Sequence, residues 1–268
     1  MIKTVISATL VLFLLGLPVT AMSGGAFQEI RVKADISSMY DRAVELFTRK
    51  IPEEFESRRN NSIRYIDFIK AIFNEKGIPY EIAYLPFIES GFSPMSVGPG
   101  DATGLWQFMK GTAERYGLRM DAYVDERKDP AKSTYAAAEY LGDLYSIFGQ
   151  WDIVLAAYNA GEGKIRRLVA KTNAAEPHLP NVITRYIASL IAVIAMSEEP
   201  EKYGFAPANA AKIETVSYTE VTTIRSTVLA KIAAKYKTTV GAIRDLNPAL
   251  IGNQTPPYRY VIRVPAND

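Results

Sequence analysis

The chain contains no cysteine and a single histidine, His178. The first absence removes disulfides, thiolate zinc sites, iron–sulfur clusters and cysteine nucleophiles together. The second removes any multi-histidine metal site within one chain. An excess of one charge is also lacking. The 31 Lys and Arg nearly balance 29 Asp and Glu, for a formal net charge of +2. So even a balance gives no bulk attraction to nucleic acid or to an anionic membrane, and nucleic acid is not expected as a partner. The sequence has no internal repeat and no low-complexity tract. The chemistry left to it is that of carboxylates, hydroxyls, amides and lysine. What is present is a globular composition: 268 residues, 48% apolar and 22% charged. That length accommodates one or two domains with cores of their own.

The first residues read as an address. Lys3 is followed by an apolar run over 5–17, which Gly16 and Pro18 break, and Val19-Thr20-Ala21 offers small residues for cleavage. This is a signal-peptide pattern over 1–21, too short for a comfortable membrane span. A lipid anchor at the cleavage point would need a cysteine. The expectation is an exported protein, periplasmic or associated with the cell envelope, or secreted; an uncleaved anchor is the alternative.

Residues 22–56 form a charged N-terminal segment, with a helix expected over 35–50. The stripe Ile63, Ile66, Ile69, Ile72 and Phe73 predicts a helix over 57–76, with Gly77 past its end. Residues 93–103 hold two Pro and two Gly and read as loop. A helix is expected over 104–116. Asp129-Pro130 is an N-cap and N1 pair opening a helix to Phe148. Asp152 can cap a helix ended by Gly161, and a further apolar helix covers 183–196. Residues 57–200 are thus helical almost throughout. A linker over 201–212 separates them from 213–268, where the order strand, helix, helix, strand predicts a small α+β module. Thr238 or Thr239 should cap its second helix and Asn247-Pro248 should end it.

Three clusters could carry chemistry. Glu89 lies among Pro86, Phe87, Ile88 and Phe92, where desolvation would raise its pKa and suit it to general-acid work. A solvated helix-end Glu is the bland alternative. Gln107, between Trp106 and Phe108, is the residue that a simple core helix does not explain; its amide can hydrogen-bond a ligand. Tyr158 and Asn159 sit at a helix end, and Gly161 and Gly163 leave the adjoining wall bare.

Glu89-Ser90, then Gly104-Leu105-Trp106-Gln107-Phe108, then 156–163 (AAYNAGEG), in this order and spacing, resemble the lytic transglycosylases of the soluble-lytic type, and among them the membrane-bound transglycosylase D branch. The resemblance covers roughly 79–200. It implies a mainly α fold with a lysozyme-like helical catalytic domain. It also implies cleavage of the MurNAc–GlcNAc β-1,4 bond of peptidoglycan with formation of 1,6-anhydroMurNAc. Glu89 matches the catalytic acid and then base. Ser90, Gln107, Phe108, Tyr158, Asn159 and Tyr186 match substrate-binding positions. No metal or cofactor is implied, and the partner is the peptidoglycan glycan strand, with peripheral contact to the envelope left open. The segment 213–265 resembles a LysM-like βααβ glycan-binding module, Leu246-Asn247-Pro248 being the telling piece; a packing appendage is the equal alternative.

The chain departs from the family pattern in three places. An S-x-x-G-A stretch reads Gly98-Pro99-Gly100-Asp101-Ala102, a Pro is replaced by Lys110, and the ETRxYV-like motif reads Val182-Ile183-Thr184-Arg185-Tyr186-Ile187. Asp101 is thus a candidate second carboxylate that would raise the Glu89 pKa or direct water toward hydrolysis, unless it is a solvated loop residue. A lysozyme-like hydrolase and a catalytically weak peptidoglycan-binding protein therefore stay beside the transglycosylase reading. Tyr116 and Tyr123 are candidates to line a glycan groove, and His178 reads as a surface residue.

Overall fold

The computed structural model describes residues 34–172, 179–207 and 217–266. The address over 1–21 and His178 lie outside them. Two hydrophobic cores organise the chain, a large helical one and a small one at the C-terminus.

The helical part begins with α1 (Ala34–Glu45), continued by a π-helical turn over Leu46–Lys50. Pro52 opens α2 (Pro52–Ser62), and α3 (Ile66–Glu75) follows. The single helix expected over 57–76 is therefore two. The sequence Asn60-Asn61-Ser62 is poor in helix formers. The Ser62 hydroxyl also donates to the Arg59 carbonyl at 2.6 Å, and a turn over 63–65 intervenes. Gly77 ends α3 with φ at 69° as expected. A 3-10 turn (Tyr80–Tyr84) leads into the short α4 (Leu85–Ser90).

The helix expected over 104–116 shrinks to α5 (Lys110–Arg115). Gly104 and Gln107 have φ of 84° and 48°, which no α-helix admits, and Thr103 and Phe108 pair as an antiparallel bridge instead. Asp129 caps α6 (Pro130–Phe148), its Oδ1 accepting from the backbone N–H groups of Ala131 and Lys132 at 3.0 Å. Then come α7 (Trp151–Ala160), α8 (Glu162–Thr172) and α9 (Asn181–Glu198). Asp152 lies in the first turn of α7 rather than capping it; Gln150 holds that position. By length and composition α9 could cross a bilayer, but it packs against α1, α4 and α7 and buries Ile183, Ile187, Leu190 and Ile194. Phe205, in the stretch read as linker, is 7% exposed and stacks on Phe55 with ring centroids 4.6 Å apart.

The C-terminal module is β1 (Tyr218–Thr223), α10 (Leu229–Lys235), α11 (Val240–Leu246) and β2 (Tyr260–Pro265). The two strands pair antiparallel, Tyr218 facing Pro265 and Thr223 facing Tyr260. Alternation along β2 turns Tyr260, Ile262 and Val264 into the small core with Leu229 and Ile243. Thr239 caps α11 by accepting from the Ala242 N–H at 3.1 Å. Asn247 then ties α11 to β2. Its amide donates to the carbonyls of Ile243 and Arg263, each at 2.6 Å, and accepts from the Arg263 N–H at 2.8 Å.

The module is seated on the segment 119–132 of the helical part. Val124 and Leu250 pair as an antiparallel bridge, flanked by Asp125 N–H to the Ala249 carbonyl (2.9 Å) and Ile251 N–H to the Tyr123 carbonyl (2.7 Å). Arg119 lies over the Tyr258 ring at 4.2 Å, Lys132 over the Tyr260 ring at 4.5 Å, and Arg263 pairs with Asp129 at 3.4 Å.

Candidate active site

Glu89 occupies the last turn of α4. The helix stops at Gly91, which takes φ of 61°. Helix α2 braces this end: Arg58 donates to the Phe87 carbonyl and Asn61 to the Gly91 carbonyl, each at 3.0 Å. A Cβ on Gly91 would come within 2.9 Å of the Arg58 side chain, so the close approach requires glycine.

Burial pushes the Glu89 carboxyl up to about 7. A hydrogen bond from the Tyr186 hydroxyl to Glu89 Oε1 opposes part of that rise by stabilising the charged form. Burial, and next the nearby Glu89 charge, hold the Tyr186 and Tyr158 phenols far above their ordinary range, so both stay protonated donors. The Tyr158 hydroxyl donates to the Trp106 carbonyl at 2.7 Å. Its ring continues outward through Tyr140 (5.4 Å between centroids) to Tyr116 (5.2 Å from Tyr140).

Ser90 joins α4 to the following loop, its hydroxyl donating to the Leu105 carbonyl at 2.8 Å. Trp106 is fully buried and donates from Nε1 to the Thr134 hydroxyl on α6 at 3.0 Å. Gln107 folds back on its own loop. Its amide nitrogen donates to the Gly104 carbonyl (2.9 Å) and the Ser96 carbonyl (3.3 Å), which leaves Oε1 as the group it can offer a ligand. That oxygen lies where a side chain on residue 98 would begin: a Cβ on Gly98 would be 2.4 Å from it.

Glu89, Tyr158 and Tyr186 therefore converge from α4, α7 and α9, and Ser90 and Tyr158 hold the Leu105-Trp106 backbone beside them. Asn159 stands exposed at the end of α7. Phe108 corrects the expectation of a sugar contact. It is 2% exposed and lies beside the Tyr140 ring, because the Thr103–Phe108 bridge turns it into the core. Asp101 is corrected as a modulator of Glu89: its exposed carboxylate pairs with Arg127 at 3.1 Å, and the Glu89 shift comes from burial and Tyr186. Tyr123 sits against the C-terminal core rather than with the Glu89 group.

Sequence reasoning missed Arg127. It is 5% exposed and clamped by Asp125, whose carboxylate accepts from Nε at 2.9 Å and from Nη2 at 2.8 Å. Its guanidinium also donates to the Asp101 carbonyl (2.7 Å) and the Phe108 carbonyl (3.3 Å). The signal was the run Asp125-Glu126-Arg127-Lys128-Asp129-Pro130, which falls between the motif stretches at 104–108 and 156–163 but announces no role for Arg127 on its own. Among the described residues no group of three or more His, Asp or Glu is arranged to hold a metal ion.

Residues 67–179 match the family model for the transglycosylase SLT domain. Membrane-bound lytic murein transglycosylase D of Escherichia coli (strain K12) is 31% identical over 149 residues, covering 52% of this chain and 33% of that protein. A putative tributyltin chloride resistance protein of Alteromonas sp. (strain M-1) is 32% identical over 115 residues, 42% of this chain and 56% of that one. The chain thus spans between a third and about half of the length of these curated relatives. The crystal structure of the 70 kDa soluble lytic transglycosylase from Escherichia coli aligns over 56% of this chain and 26% of that one, at 24% identity and a TM-score of 0.43.

Proposed function

We propose that this chain, whose residues 67–179 form a transglycosylase SLT domain, is a peptidoglycan lytic transglycosylase of the cell envelope. Its reaction is cleavage of the MurNAc–GlcNAc β-1,4 bond with closure of a 1,6-anhydro ring. The observation that carries the reading is the half-buried Glu89, its carboxyl raised to about 7 by desolvation and hydrogen-bonded by Tyr186. An acid of that strength gives its proton to the departing GlcNAc oxygen near neutral pH. The resulting carboxylate, stabilised by the Tyr186 hydroxyl, then takes the proton of the MurNAc C6 hydroxyl as that oxygen bonds to C1. The carboxyl ends protonated, as it began. One carboxyl thus serves both steps, and the pair that other glycosidases use is not needed. Tyr158 holds the Trp106 carbonyl, and Gln107 Oε1 and Asn159 are the polar groups offered to sugar hydroxyls and acetamides.

A hydrolase on the same scaffold would need a carboxylate to direct water. Asp101 is engaged by Arg127, which counts against that alternative. The pattern over 1–21 supports export to the periplasm. The βααβ order, with Asn247 locking α11 to β2, supports a LysM-like module that binds GlcNAc-containing glycan.

The test is digestion of purified peptidoglycan by the protein and by its Glu89→Gln variant, with mass spectrometry of the soluble products. Anhydro-muropeptides from the parent and none from the variant are expected. Reducing ends without the anhydro bridge would reassign the reaction to hydrolysis. Retained binding with no product from either form would leave a glycan-binding protein.

A further inference from the structure

The loop that carries Gln107 is held in a conformation its own residues disfavour. Asp101 (φ 65°) and Gln107 (φ 48°) both occupy the left-handed region. Outside glycine, and less so for Asp, that region is disfavoured, so the Gln107 conformation calls for surroundings that hold it. Arg127 is that surrounding group. Its buried guanidinium bonds the Asp101 carbonyl and carboxylate and the Phe108 carbonyl, gripping both ends of the 101–108 turn. The middle of the turn lies against the Arg127 backbone: a Cβ on Gly104 would fall 1.9 Å from the Arg127 carbonyl oxygen.

Arg127 is linked in turn to the C-terminal module. Arg127 is aimed by the Asp125 carboxylate, and the Asp125 backbone is bonded to Ala249 of the module. Val124, one residue earlier, is 0% exposed and belongs to the core of the module, not to the helical core. Asp121 starts the same segment. Its carboxylate accepts from the Tyr123 and Val124 N–H groups at 2.7 and 3.0 Å and from the Tyr258 hydroxyl of the module. A domain merely tethered for binding would touch its neighbour through a polar rim. This one takes a residue of the catalytic domain into its own core.

We infer that the C-terminal module is a positioning element of the active site: by gripping 121–125 it sets Arg127, and Arg127 sets the loop that presents Gln107. The inference rests on the reaction assigned to Glu89 for its effect on rate, and on geometry alone for its effect on the loop. The module then governs turnover as well as any affinity for glycan.

The test uses the full-length protein with Arg127→Lys, Val124→Ala and Ile243→Val. Arg127→Lys keeps the charge and loses the planar fork. Val124→Ala loosens the grip. Ile243→Val trims a core residue that the module supplies from its own helix α11 and serves as the control. Two quantities are measured: hydrogen exchange of the backbone amides over 98–108, and kcat and KM on soluble glycan strands across pH. Arg127→Lys and Val124→Ala are both expected to speed loop exchange. Misplacing a substrate-contacting loop should lower kcat/KM on the order of tenfold for Arg127→Lys, less for Val124→Ala, with the alkaline limb of the pH profile unmoved. Ile243→Val should do neither. Unchanged loop exchange in Val124→Ala overturns the inference, as does an equal kcat/KM loss in Ile243→Val. A parent without turnover refutes the reaction and leaves the exchange comparison to decide the link between module and loop.

Discussion

Replacing the proposed acid should make the protein more stable, and only at one end of the pH range. In the unfolded chain Glu89 titrates at about 4.5; in the folded protein burial moves it to about 7. Between these values the folded state holds a proton that the unfolded state has released, so stability falls as pH rises. The difference corresponds to roughly 3 kcal/mol at pH 8 and nearly vanishes at pH 4. Glu89→Gln keeps the shape and an oxygen to accept from Tyr186, and has no charge to bury. Its unfolding free energy should therefore exceed the parent's by about 3 kcal/mol at pH 8 and match it at pH 4. Urea unfolding followed by tryptophan fluorescence reads this directly, since Trp106 and Trp151 both belong to the large helical core. A gain of equal size at both pH values would show a packing effect and refute the argument from a buried charge. No gain at pH 8 would show that Glu89 is solvated, and would remove the basis for its acting as a general acid near neutrality.

Tyr186→Phe removes the hydrogen bond that lowers the Glu89 pKa, so the alkaline limb of kcat against pH should move upward from about 7; a limb that stays or falls refutes the contact. Asp101→Asn should leave that limb in place, because burial and Tyr186 set the Glu89 pKa. Gly104→Ala meets both a left-handed φ of 84° and the Arg127 carbonyl at 1.9 Å. It should cost more than about 2 kcal/mol in chemical denaturation. Asn247→Ala strips one hydrogen bond within α11 and two that tie it to β2. It should lower module stability by about 2–3 kcal/mol, seen as loss of exchange protection in β2.

The parts of the fold legible in sequence are those that local chemistry decides. Asp129-Pro130 opens α6, Gly77 and Gly161 end their helices with positive φ, and the alternation through Tyr260, Ile262 and Val264 marks the buried face of β2. Glu89 and Tyr186 were legible as site candidates because motif spacing carries them. The misread stretches are those where long-range contacts override periodicity. Residues 104–108 have a helical apolar pattern, yet the Thr103–Phe108 bridge and the bond from Ser90 to the Leu105 carbonyl fold them as a turn. Phe108 looked available to a sugar because sequence does not say which side of a turn faces the core. Arg127 was not legible as a clamp, because the partners of its guanidinium, Asp101 and Phe108, lie some twenty residues away and nothing local places them beside it.

Gly98, Asp101 and Gln107 make sense as one linked arrangement. With glycine at 98, the space of a side chain is taken by Gln107 Oε1, 2.4 Å from where a Cβ would stand. A serine there would have to displace the amide, so Gly98 and the folded-back Gln107 go together. Asp101 in the left-handed region is costly where glycine is not. Here its carboxylate gains an ion pair to Arg127 at 3.1 Å. That pair adds a side-chain contact to the hold that Arg127 already has on the Asp101 carbonyl. A double substitution tests the link. Gly98→Ser alone should disturb the Gln107 loop, and Asp101→Gly alone should loosen it toward Arg127. The two together should show a coupling between substitutions rather than simple addition, because both act on the same turn. Additive effects on loop exchange would mean the two positions are independent.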